Sequence, residues 1–186
     1  MAETIDKLNW PFRLARLSDI PELESLIAIS VRVLQAPYYS VAQREGALGK
    51  IFGVDTQLIR DGTYFVLEQE AQIIGCGGWS KRKTLCGGDR DRVGEDDLLD
   101  PRSEGARIRA FFVHPDWARR GIGASILRAC EKAIVSAGFE TAELLATLAG
   151  EPLYASFEYK AFERYDLPMS SGLSLPVVRM GKRLSG

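Results

Sequence analysis

The sequence is poor in the residues that would commit it to metal, disulfide or membrane chemistry. It has one histidine, His114, and three cysteines, Cys76, Cys86 and Cys130, at irregular spacings with no Cys-x-x-Cys pair. A structural zinc site needs about four nitrogen or sulfur ligands at short spacings, so no metal is expected. An odd, scattered set of cysteines reads as free thiols in a reducing compartment, which makes the cytoplasm the expected location. No apolar run approaches the roughly 18 residues of a membrane span. The polar, acidic start from Met1 to Asn9 lacks signal-peptide character. Charge of one sign is not in excess either: 24 Lys and Arg face 25 Asp and Glu, for a net charge of -1. A nucleic-acid binder ordinarily carries a marked basic excess, so that class is excluded, though a local basic patch is not.

What is present is an ordinary globular composition, 46% hydrophobic and 26% charged over 186 residues. That length suits one domain. Residues 1–10 read as a short tail and 11–186 as the domain. An extended segment begins at Phe12 and Leu14, and Ser18 is placed to cap a helix that tolerates Pro21 in its first turn. Apolar residues recur at Ile20, Leu23, Leu26, Ile27, Val31 and Leu34, one helical face, and Pro37 ends it. A second helix is expected from about Val41 to Phe52, and a short helical stretch over Val54 to Ile59.

Beyond Asp61-Gly62 the pattern turns β-branched and aromatic. Thr63 to Leu67 and Ala71 to Trp79 predict a hairpin, with Gly75, Gly77 and Gly78 marking a bulge or a close approach by another group. Residues 83–104, with five Asp, two Glu and three Gly, form a long polar loop. A strand over Arg107 to Val113 follows, then a helix from near Arg119 to about Ala137, stopped by Gly138. The chain ends with a strand (Thr141 to Leu148), a short helix (Glu151 to Tyr159) and two strands (Phe162 to Leu167, Leu175 to Met180). This is a mixed α/β sheet flanked by helices in a single domain.

The chemically informative stretch is Phe112-Val113-His114-Pro115-Asp116-Trp117-Ala118-Arg119-Arg120-Gly121-Ile122-Gly123-Ala124. A helix interior disfavours glycine by about 1 kcal/mol against alanine, so two glycines in a first turn need a reason. A helix start offers unpaired N–H groups and the positive end of its dipole, and bare backbone lets a phosphate come close. Arg119 and Arg120 add charge at the rim. Neither GxxxxGK[ST] nor GxGxxG is present, so the familiar nucleotide loops are unsupported. Arg107, Arg109 and Arg128 complete a local arginine cluster and read as a solvated face.

Strand, V-H-P-D-W, R-R-G-I-G-A and amphipathic helix together resemble motif A of the GNAT acyltransferase superfamily, and the resemblance extends over residues 12–182. It implies the single-domain GNAT fold, with a pair of strands splayed apart to admit acetyl-CoA, and transfer of the acetyl group to an amine. The family pattern is [Q/R]xxGx[G/A]; Gly121 and Gly123 match it, while Ala118 stands where Gln or Arg is usual. Carried over residue by residue, the amides of Arg119, Arg120, Gly121, Ile122, Gly123 and Ala124 hold the CoA pyrophosphate. Phe111, Phe112 and Val113 pair with the pantetheine arm, and the N–H of Val113 polarises the thioester carbonyl.

Tyr154, in the segment PLYASFEY, matches the family tyrosine that protonates the departing thiolate, although Glu158 stands where the family often has Gly. The implied acceptor is the primary amine of a small molecule or peptide, and Tyr38 and Tyr39 fall where the acceptor wall forms. No strand carboxylate identifies a general base; Glu151, Glu104, His114 and a water chain are the candidates. Cys76, in the glycine-rich hairpin, reads as a small buried hydrophobe, with a ping-pong nucleophile as the alternative. A non-catalytic acyl-CoA-binding module and transfer of a bulkier acyl group are the competing functions. Dimerisation, common in the family, stays open.

Overall fold

The computed structural model describes residues 10–89, 94, 96–170 and 172–184. Seven strands form one sheet in the order β1-β2-β3-β4-β5-β7-β6. They are β1 (Phe12–Leu14), β2 (Tyr64–Gln69), β3 (Gln72–Ser80), β4 (Ala106–Val113), β5 (Thr141–Thr147), β6 (Lys160–Pro168) and β7 (Ser174–Arg183). The helices are α1 (Ile20–Leu34), α2 (Val41–Ala47), α3 (Thr56–Arg60), α4 (Ile122–Ser136) and α5 (Glu151–Ser156). Every strand pair is antiparallel except β4 with β5, which run parallel.

Alternating strand residues feed two cores, as the period of a strand requires. Leu67, Ile74, Ile108, Leu144 and Met180 pack with Ile122, Ile126, Leu127 and Ile134 of α4. Their neighbours Val66, Ile73, Cys76 and Val177 pack with Leu23, Leu26, Ile27 and Val31 of α1. The sheet is therefore sandwiched, with α1 to α3 over one face and α4 over the other. None of the helices among the described residues is long and apolar enough to cross a membrane.

Several local expectations change. Ser18 does not cap α1; the N-cap is Asp19, whose carboxylate instead accepts the Arg16 N–H at 2.7 Å. α2 stops at Ala47, because Leu48 turns extended and Gly49 takes φ 77°. The β2–β3 hairpin turns on Glu70 and Ala71, both at positive φ. Most of the expected tail, residues 1–9, lies outside the described residues, but Trp10 is buried and packs edge-on against Trp117 at 5.8 Å. Within the long loop, residues 90–93 and 95 lie outside the described residues. The remainder is tied back by Lys83 N–H to Asp97 O (3.1 Å) and Leu99 N–H to Lys81 O (2.8 Å). Ser171, in the expected loop before the last strand, is likewise outside the described residues.

Candidate functional site

The site begins where β4 and β5 part. They pair only from Ala106 to Ile108 with Ala142 to Leu144, so the later residues of each strand face a gap. A bulge drives the separation. Cys76 pairs with Phe112 and Gly78 with Arg109, so Ala110 and Phe111 together oppose Gly77. A bulge bends its strand and increases its twist. Ala110 sits at φ 58°, and the buried Tyr64 hydroxyl, 3.2 Å away, donates to its carbonyl. The far edge of the gap is held by Tyr39, whose phenol accepts the Leu148 N–H (2.9 Å) and donates to Pro176 O (2.7 Å). Leu148, just past the end of β5, thereby finds a side-chain partner in place of a β4 backbone.

The gap opens into a cleft of about 760 Å³. Phe111, Phe112, Val113, Arg119, Gly121, Ile122, Gly123, Ala124 and Tyr154 all line it. Arg120 does not; its guanidinium lies 4.9 Å above the Trp117 ring. The segment before α4 is not helical. Arg119 and Gly121 both take left-handed backbone, φ 64° and 83°, and the helix begins at Ile122 rather than near Arg119. Those two turns bring the leading amides of α4 to the cleft wall. No side chain caps them, since the N-cap is Gly121. A Cβ built on Gly121 would meet nothing within 4 Å. A fifteen-residue helix with an uncapped start and open space before it suits a phosphate group.

Tyr154 is held from α5 over the mouth of the splay, only 8% exposed, its ring edge-on to Phe111 (5.9 Å) and Tyr159 (6.0 Å). Its hydroxyl has no hydrogen-bond partner among the described residues. Burial pushes its pKa above the ordinary phenol value of 10. The Val113 N–H donates to Ser30 Oγ on α1 at 3.3 Å. Tyr38 lines the cleft, whereas Tyr39 is buried as the latch just described.

None of the three side-chain candidates for the general base lines this cleft. Glu151 pairs with Arg164, Glu104 accepts the Asp100 N–H at 2.8 Å, and His114 Nδ1 accepts the Asp116 N–H at 3.3 Å. Cys76 is fully buried, and desolvation pushes its thiol up to about 12. Cys86 does line the cleft, with burial raising its pKa as well.

Arg107 and Arg109 do not belong to a solvated face, whereas Arg128 is exposed as expected. Arg107 pairs with Glu143 at 2.8 Å, and Arg109 pairs with Asp55 at 2.9 Å with both side chains almost wholly buried. Arg109 also donates to Gly87 O, so it binds the loop after β3 and the start of α3 to the cleft wall. Arg128 lies over the Phe157 ring at 5.3 Å. Sequence reading missed Ser30, Gln35 and the Arg109–Asp55 pair. Ser30 had a readable signal, because it sits in the apolar stripe of α1 between Ile27 and Val31. Gln35 lines the cleft with its Oε1 buried and unpartnered among the described residues, and nothing in the sequence marked it.

Comparison with known proteins agrees with this geometry. Residues 60–161 match the family model described as an acetyltransferase (GNAT) domain. None of the curated proteins matches the sequence. Among solved structures, a GCN5-related N-acetyltransferase from Rhodopseudomonas palustris superposes with TM-score 0.69 at 20% identity, covering 94% of this chain and 96% of its own. The PaiA N-acetyltransferase from Thermoplasma acidophilum, solved in complex with coenzyme A, gives 0.63 at 13%, covering 93% and 98%. The ribosomal-protein-S18-alanine N-acetyltransferase from Escherichia coli gives 0.58 at 15%, covering 95% and 94%. The family match takes in more than half of the chain, including the splayed strands and the glycine turn that shape the cleft, and so the chain belongs to the GNAT acetyltransferases, acyltransferases whose donor is acetyl-CoA.

Proposed function

We propose that the chain transfers the acetyl group of acetyl-CoA directly to a primary amine of a small molecule or peptide. The observation that carries this reading is the convergence of the splayed β4 edge, the uncapped start of α4 and Tyr154 on one cleft. The leading amides of α4, with Arg119 and the Gly121 turn, take the pyrophosphate. Phe111 to Val113 take the pantetheine arm as a neighbouring strand would, and the Val113 N–H turns to the thioester carbonyl. At 3.3 Å its bond to Ser30 is longer than the roughly 2.9–3.0 Å optimum, so that amide is loosely held.

The amine nitrogen attacks the thioester carbon, the C–S bond breaks, and the thiolate takes the Tyr154 proton while the amine's surplus proton leaves to water. Burial keeps Tyr154 protonated at neutral pH, so its proton is on hand as the thiolate forms, while the same shift makes it a weaker acid and leaves the role to its position in the cleft. Direct attack is supported by Cys76, which is buried outside the cleft lining with a raised pKa. A peptide acceptor draws support from the Escherichia coli neighbour, named for an alanine of a ribosomal protein. The test is release of CoA thiol against a panel of amines and peptide N-termini. Tyr154→Phe is expected to lower kcat by about 10²-fold or more with acetyl-CoA binding retained; unchanged turnover would remove Tyr154 from the mechanism. Because its pKa is raised above 10, turnover is expected to show no alkaline loss from this group below pH 10.

A further inference from the structure

Ser30 is an anomaly on α1. Its neighbours in the stripe, Leu23, Leu26, Ile27 and Val31, are apolar and pack on the sheet. Ser30 is equally buried, 4% exposed, yet it lines the cleft. A helical serine can spend its proton on the carbonyl four residues back, as Ser25 and Ser136 do, to Pro21 O (3.0 Å) and Lys132 O (2.9 Å). Ser30 does not. Its oxygen accepts from Val113 N–H, and among the described residues no acceptor takes its proton. A buried donor without an acceptor costs free energy unless something arrives to receive it.

We infer that the Ser30 hydroxyl is a second donor to the thioester carbonyl, acting beside the Val113 N–H. The inference rests on the proposed placement of acetyl-CoA. A carbonyl oxygen within hydrogen-bond distance of Val113 N, on the side facing α1, also comes within reach of an Oγ 3.3 Å from that nitrogen. The hydroxyl then gives up accepting from Val113 and donates to the incoming oxygen. Two donors converge on the atom that becomes an oxyanion as the amine attacks, and both are held in place before it arrives, one by β4 and one by α1. No proton is transferred by Ser30; its hydrogen bond strengthens as negative charge builds.

The test uses the full-length chain with acetyl-CoA and with CoA, which lacks the carbonyl. Ser30→Ala is expected to weaken acetyl-CoA by roughly two- to tenfold in calorimetry while leaving CoA unchanged. In infrared difference spectra, the carbonyl band of bound acetyl-CoA labelled with ¹³C at the carbonyl should move back toward that of the free thioester. Ser30→Thr, which keeps the hydroxyl, should hold the band at its wild-type position. Equal weakening of both ligands, or a carbonyl band unmoved in Ser30→Ala, would overturn the inference. A wild-type chain that binds neither ligand would instead overturn the placement of acetyl-CoA on which it rests.

Discussion

Two groups of glycines, one packed behind the cleft-lining Phe111 and Ile122 and the other lining the cleft itself, do opposite jobs. In β3, a Cβ on Gly75 would come 2.5 Å from Ile122 Cγ2, one on Gly77 would come 2.6 Å from the Phe111 ring and 2.8 Å from Ile126, and one on Gly78 would come 2.6 Å from Thr63 O. Their missing side chains are replaced by protein. At the start of α4, Gly121 has nothing within 4 Å and a left-handed φ of 83°. There the missing side chain leaves a backbone turn and open space. Glycine richness alone therefore says little about function; what fills the place of the absent Cβ decides whether it serves packing or binding.

This contrast can be broken at either end. Gly77→Val should have the largest effect, since overpacking against Phe111 and Ile126 costs about 3 kcal/mol and lowers Tm by on the order of 10 °C for a chain of this size. A thermal melt checks it, and a Tm within 2 °C of wild type, roughly the shift of a sub-kcal/mol change, would show that β3 tolerates the volume. Gly121→Val should cost less stability, about 1–2 kcal/mol for an L-residue in left-handed backbone. It should nonetheless weaken CoA by roughly tenfold or more, and Gly121→Asn, which tolerates that backbone better, should recover part of the loss. Gly123→Ala is the mildest. Its Cβ would lie 3.0 Å from Leu153 Cδ2, the end of a flexible side chain, so a stability change below about 0.5 kcal/mol is expected. If Gly121→Val lowers stability and CoA affinity only in parallel, the two glycine groups do the same job.

The sequence disclosed what is local. The stripe of α1, the arrest at Pro37, the β2–β3 hairpin and the stop at Gly138, which takes φ 88°, are each set by neighbouring residues. The fold and the glycine turn were legible through motif A, because that motif is itself a short contiguous segment. What stayed hidden depends on distant partners. Arg107 and Arg109 looked solvated because nothing near them in sequence revealed Glu143 and Asp55, which bury them in ion pairs. The three residues by which α4 starts late reflect the left-handed Arg119, a conformation that nothing in its residue type signals. Tyr39 looked like acceptor wall because its two hydrogen-bond partners, Leu148 and Pro176, come from the other half of the chain. Ser30 was in plain sight as a polar residue in an apolar stripe, but its meaning required β4 beside it.

In the proposed function, acetyl-CoA sits in the gap between β4 and β5 beyond Ile108 and Leu144. The most direct measurement is a crystal structure of the chain grown with CoA. The pyrophosphate is expected against the amides of residues 121–124 and the pantetheine arm along Phe111 to Val113, with the thiol near Tyr154. CoA bound elsewhere on the molecule, or β4 and β5 closed into continuous pairing through Val113, would contradict it.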